Sequence, residues 1–145
     1  MTIHGGCACG AVRYQLARDD LPTVYCCHCG GCQSRTGSAF VQTAAVKATE
    51  VELTGPLITL SQHQSDGKTF EFSICATCAS RLYFVMPTYP DRLLLQAGTL
   101  DDSSSIQPVA HIWTSRKQPW VGIGEGVPQY EETPPPDFYA IVGFV

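Results

Sequence analysis

Apolar and polar residues alternate with a period of two along much of this chain, and no helical period is sustained anywhere. Val12, Tyr14 and Leu16 share one side of residues 11–16, which predicts a half-buried strand. Asp19-Asp20-Leu21-Pro22 reads as a turn, and residues 23–26 as a short extended entry into a cysteine cluster. Residues 30–36 read as a turn or a single helical turn. Gly37-Ser38-Ala39-Phe40 opens an expected strand through Val41 and Thr43, with residues 46–53 pairing beside it after an irregular step at Ala44 and Ala45. Gly55-Pro56 punctuates the chain. Residues 57–63 and 69–74 flank Ser65-Asp66-Gly67-Lys68, a hairpin turn, and Phe70, Phe72 and Ile74 share a face. Further strands are predicted over 81–86 and 92–97.

Beyond Asp101 strand signals fade. Leu100-Asp101-Asp102 with the serines after it reads as the start of a short helix. Gly122-x-Gly124-x-Gly126 lacks the strand–helix context of a phosphate loop and reads as flexible. His111 lies among apolar residues, as a core or lid histidine satisfied by a backbone carbonyl; the alternatives are a proton shuttle or a place near the metal. Trp113 and Trp120 read as packing residues. Phe138, Tyr139, Ile141 and Phe144 form an apolar end that docks on the body or on another subunit, after an acidic, proline-stiffened stretch at 131–136. The fold class that follows is mostly β: one domain over residues 1–145, a small antiparallel β sandwich or open barrel-like fold.

At 145 residues, with 44% apolar and 15% charged residues, the chain can build a core and does not read as disordered. Net charge is −4, and the nine basic residues never cluster, which argues against nucleic acid. No apolar run approaches a membrane span, and the first residues match no export signal, so a cytoplasmic protein is expected.

Eight cysteines, at 7, 9, 26, 27, 29, 32, 75 and 78, change the picture. A reducing compartment disfavours structural disulfides, and C-x-C steps suit thiolates converging on one metal. Cys7, Cys9, Cys75 and Cys78 make two paired knuckles, the set for a closed, structural Zn2+. Cys27, Cys29 and Cys32 pack three thiolates into six residues; three protein ligands and an open position are the arrangement of a catalytic-type zinc, one that exchanges more readily. His28 and Cys26 are each candidates for a fourth ligand; their simpler readings are a spacer pointing away and a buried small apolar residue. Soft sulfur favours zinc or iron–sulfur, and the tight C-x-C steps favour zinc. Two such sites take the loaded chain to about −7. An anionic substrate would then need Arg13, Arg35, Arg81, Arg116 or Lys117.

His4-Gly5-Gly6-Cys7-Ala8-Cys9-Gly10, Cys27-His28-Cys29-Gly30-Gly31-Cys32, Gly37-Ser38-Ala39-Phe40 and residues 72–78 resemble the glutathione-dependent formaldehyde-activating family, also named for a centromere protein. Residues 97–101 and 108–113 and Trp120 extend the likeness over about residues 4–132. The resemblance implies a β fold shared with a small guanine-exchange-factor-like zinc protein. It also implies a structural zinc at Cys7, Cys9, Cys75 and Cys78, and a catalytic-type zinc at Cys27, Cys29 and Cys32. The implied activity is that of a carbon–sulfur lyase, condensing formaldehyde with the thiol of glutathione to S-hydroxymethylglutathione. No dedicated glutathione-binding set can be matched residue by residue. Three other readings stand beside it: a zinc enzyme for another thiol adduct, a non-catalytic zinc module for a protein partner, and a metal buffer or redox sensor. A homo-oligomer is compatible with each.

Overall fold

The computed structural model describes residues 2–145. The strands are β1 (Ile3–Gly6), β2 (Arg13–Leu16), β3 (Val24–Cys27), β4 (Val41–Lys47), β5 (Val51–Thr54), β6 (Leu57–His63), β7 (Thr69–Cys75), β8 (Arg81–Val85), β9 (Arg92–Gln96), β10 (Ala110–Ile112) and β11 (Gln129–Tyr130). Two short helices, α1 (Gly30–Thr36) and α2 (Asp137–Ile141), complete the set. A three-stranded sheet runs β1-β2-β5, and an eight-stranded sheet runs β11-β10-β3-β4-β9-β8-β7-β6.

Strand alternation explains how the layers stack. Val12, Tyr14 and Leu16 pack with Val24, Ala44, Val46 and Leu95 in a core that joins the small sheet to one face of the large one. The intervening residues Tyr25, Ala45 and Leu94 point the other way, into a second cluster with Phe138, Val142 and Phe144 of the C-terminal segment. Tyr25 meets Phe138 edge-on at 5.2 Å between ring centroids. The apolar end therefore docks on the body of the chain, although Ile141 stays exposed.

Three expectations are corrected. Residues 46–53 do not form one strand beside β4. The chain leaves β4 at Lys47 through a 3-10 turn, and β5 pairs with β2 in the other sheet. Ala44 and Ala45 are no irregularity: β4 lies between β3 and β9 and is covered on both faces, so Ala44, Ala45 and Val46 follow one another as buried apolar residues. The large sheet is mostly antiparallel, as expected, with β10 alone lying parallel to its neighbours β3 and β11. The serines after Leu100-Asp101-Asp102 form a single 3-10 turn, Ser103–Ser105, in place of a longer helix.

Gly5 sits opposite Tyr14 in the small sheet, and the Tyr14 hydroxyl shares a 2.8 Å hydrogen bond with Thr99 Oγ1. A Cβ at Gly5 would collide with the Tyr14 ring and lie 2.7 Å from the Thr99 carbonyl oxygen. Gly5→Ala should therefore lower unfolding stability by about 1–3 kcal/mol in a urea titration. An unchanged midpoint would contradict this packing.

Candidate metal centres and the cleft beside them

The sulfurs of Cys7, Cys9, Cys75 and Cys78 all lie within 4.8 Å of one another. Cys7 and Cys9 follow β1; Cys75 ends β7 and Cys78 lies in the turn after it. Cys7 Sγ to Cys9 Sγ is 3.5 Å, and Cys9 Sγ to Cys75 Sγ is 3.9 Å. Four sulfurs at zinc–thiolate bond length around one ion stand about 3.8 Å apart, so the set fits a tetrahedral ion. Backbone N–H groups turn toward these sulfurs: Val12 donates to Cys7 at 3.2 Å, and Thr77 and Cys78 donate to Cys75 at 3.4 and 3.5 Å. Ser80 links the knuckles. Its Oγ accepts from Ala8 N at 3.1 Å and lies 3.1 Å from Cys78 Sγ. The Ser80 hydroxyl and backbone pull the Cys78 thiol down to about 5, and the Val12 N–H lowers Cys7.

The second group is Cys27, Cys29 and Cys32, with sulfurs again within 4.8 Å. Alternation along β3 sends Tyr25 and Cys27 to the face of the large sheet opposite the small one. Cys29 is the N-cap of α1, its Sγ accepting from Cys32 N at 3.3 Å, and Gly37 closes the helix in the left-handed conformation. Hydrogen bonds from the Cys27 and Cys32 thiols hold the Cys29 thiol far below the usual range, while the contacts with Cys29 and Cys32 push Cys27 up. None of the eight cysteines is in a disulfide.

The trio opens on a cleft of about 540 Å³. Its floor is the large sheet with Tyr25, Thr43, Phe72 and Phe84, and one wall is the C-terminal segment with Pro134 and Tyr139. Arg35, Arg81 and Arg116 also line it. Behind the trio, His28 is fully buried, and its Nε2 lies 2.8 Å from His111 Nδ1. His28 Nδ1 is buried without a partner.

A family model, the glutathione-dependent formaldehyde-activating enzyme, matches residues 2–116. The chain belongs to this family.

A Halomonas elongata protein whose name places it among glutathione-dependent formaldehyde-activating enzymes is 27% identical over 128 residues, 85% of this chain and 82% of that one. A crystal structure of a Rhodobacter sphaeroides protein has a similar fold. Its TM-score is 0.54 at 16% identity, over 72% of this chain and 91% of that one. The family match ends at residue 116, so the wall formed by Pro134, Phe138, Tyr139 and Phe144 lies outside it.

The geometry brings together both cysteine sets named from spacing. Cys26 points the other way and is fully buried, as an apolar residue would be. His28 points away from the trio but is more than a spacer. His111 is buried against His28 rather than satisfied by a backbone carbonyl, because the parallel β3–β10 pairing sets it opposite Cys26, two residues before His28. Of the five candidate cations, Arg35, Arg81 and Arg116 reach the cleft. Arg13 does not, being paired with Asp101 at 2.5 Å, and Lys117 Nζ donates to the Val121 carbonyl at 2.8 Å. Trp113 lines the cleft, whereas Trp120 is 74% exposed and packs in no core. Ser80 carried no signal in the sequence: its role depends on a turn that brings it to a cysteine pair more than seventy residues away. No helix among the described residues is long and apolar enough to cross a membrane.

Two outcomes follow from this arrangement. Cys75→Ser should lower the metal content of the chain by one ion relative to the unaltered protein in elemental analysis, with the midpoint of thermal unfolding falling by several degrees. Unchanged metal content would contradict the four-sulfur set. Burial holds His28 down to about 4, and burial also lowers His111. A buried neutral histidine contributes stability that is full above about pH 6.5 and is lost as pH falls from there toward about 4. Imidazole 15N shifts should show His28 neutral at pH 5.5; protonation midway near 6.5 would contradict the burial argument.

Proposed function

We propose that the chain is one zinc-binding unit over residues 1–145 acting as a carbon–sulfur lyase on thiol–aldehyde adducts. The reaction proposed is formation and breakdown of S-(hydroxymethyl)glutathione from glutathione and formaldehyde. The observation that carries the reading is the convergence of exactly three cysteine sulfurs at the mouth of a cleft, in a chain of this family. Cys7, Cys9, Cys75 and Cys78 would hold a structural Zn2+, and Cys27, Cys29 and Cys32 a second, more labile one.

When bound at the trio, zinc supplies an electrophilic position that favours the thiolate form of an incoming thiol over water, since three thiolate ligands leave it a weak Lewis acid. The chain's own residues do the rest. Cys29, held at the start of α1, fixes the middle sulfur. The aromatic floor and the C-terminal wall exclude water around the reacting carbon. In the forward direction the thiol sulfur bonds to the carbonyl carbon, the C=O becomes C–OH, and the thiol proton ends on that oxygen. The reverse breaks the same C–S bond. No part of this needs a membrane or nucleic acid, and it suits a cytoplasmic setting where glutathione is abundant.

Exchange NMR with 13C-formaldehyde and glutathione tests the reading on zinc-loaded protein. The intact chain should accelerate hemithioacetal exchange, and Cys29→Ala should abolish the acceleration while the β fold persists by circular dichroism. Full activity in Cys29→Ala, or no acceleration by protein carrying two zinc ions, would overturn it.

A further inference from the structure

The chain has six arginines, and the fold sorts them into two kinds. Arg13, Arg18 and Arg92 each pair with a carboxylate, at 2.5, 3.1 and 2.6 Å, with Asp101, Glu50 and Asp91. Arg35, Arg81 and Arg116 pair with none among the described residues, and all three line the cleft beside the Cys27–Cys29–Cys32 trio. Lys68 lines it too. Asp66 is the one carboxylate among the lining residues, and its Oδ1 is occupied by its own turn, accepting from Lys68 N at 3.0 Å. A chain with net charge −4 therefore surrounds this cleft with four cations and a single acid.

The guanidiniums are placed rather than loose. Arg35 and Arg81 both rest on the buried ring of Phe72, at 5.4 and 5.0 Å from its centroid. Gly31 and Gly30 leave room for the other contacts: a Cβ at Gly31 would stand 2.9 Å from Arg35 Nη1, and one at Gly30 3.2 Å from Arg116 Nη2. Burial and the neighbouring Arg35 charge lower the basicity of Arg81, as like charges held close and partly out of water should. Three thiolates with a divalent cation carry only −1, which does not balance four positive charges. The surplus calls for an anion from outside the chain.

We propose that Arg35 and Arg81, with Arg116, bind the carboxylates of the thiol substrate, so that the site selects acidic thiols over neutral or cationic ones. This rests on the lyase reading for the identity of the thiol, while the binding itself can be measured without turnover. Guanidinium forks hold carboxylates in paired hydrogen bonds, and such contacts, made beside an apolar floor, discriminate strongly against a partner lacking the charge.

The test is calorimetric titration of the zinc-loaded full chain with S-methylglutathione, which cannot react, and with its diethyl ester, whose carboxylates are masked. Zinc content is measured on every sample. S-Methylglutathione should bind, the diester at least tenfold more weakly, with affinity falling as salt rises. Arg81→Gln and Arg35→Gln should each raise Kd for the acid about tenfold and leave the diester unchanged. Lys47→Gln, a cation outside the cleft, should change neither. Equal binding of acid and ester, no binding of either, or variants that shed zinc while keeping the acid–ester preference would overturn the proposal. In that last case the arginines serve the metal charge instead. Exchange NMR on the same samples separates the two readings. Acceleration with neutral thiols and no acid preference overturns the carboxylate site and leaves the lyase. Discriminating binding without any exchange overturns the lyase and leaves the carboxylate site.

Discussion

The convergence of Cys7, Cys9, Cys75 and Cys78 is the constraint on which the rest of the structure turns. The first pair follows the first strand of the small sheet, and the second follows the seventh strand, in the large sheet. Bringing them together closes a loop of more than sixty residues, whose entropy must be met before any contact inside it is gained. The core between the sheets offsets much of that cost, and an ion shared by four thiolates would offset more, since its binding free energy is folding free energy. Several N–H groups and the Ser80 hydroxyl already favour negative sulfur at this corner. It is built for charge that a thiol-only cluster would not carry.

The second trio depends on that corner indirectly. Cys27 ends β3, and β3 is held in place by β4 and β10 on either side. β4 in turn is covered on both faces, by the small sheet and by the C-terminal segment. The trio is thus mounted on the most enclosed part of the sheet, while its own sulfurs stay partly open to the cleft. The buried His28–His111 contact lies behind it and ties the β3–α1 junction to β10 by a bond that water does not reach. A rigid rear and an open front suit a site that must hold an ion and still admit a ligand.

Much of this was legible in the sequence. Period-two patterning located β2, the β6–β7 hairpin and β8 and β9, and C-x-C and C-x-x-C spacing partitioned the ligands, because both signals are local. What escaped notice was set by the tertiary structure. β4 reads as irregular at Ala44 and Ala45 only if one face is assumed to be wet. β10 and β11 are three and two residues long, too short for any periodicity, and form because parallel neighbours complete their hydrogen bonds. Trp120, expected to pack, lies exposed, because no element of the fold covers the turn that carries it. The His28–His111 pair joins residues 83 positions apart, and no spacing rule reaches that far.

The arginines show the same limit from the electrostatic side. A net charge of −4 and nine scattered basic residues argue against a nucleic-acid surface and leave five separate cations as candidates for an anionic substrate, without saying which of them meet. The sum hides a partition. Carboxylates on the outer surface answer Arg13 and Arg18, Arg92 is answered next door by Asp91, and the remaining three arginines are gathered from α1, β8 and the turn after β10 onto one cleft. Holding them together costs free energy that a solvated surface would not demand, and Phe72 and the glycines at the start of α1 lower that cost without cancelling the charge. An arrangement that pays this in the free chain is offset only when an anion arrives, so the charge pattern carries information about the ligand that the cysteines alone do not. The cysteines specify a reacting sulfur and a metal. The arginines specify what else the molecule bearing that sulfur must carry.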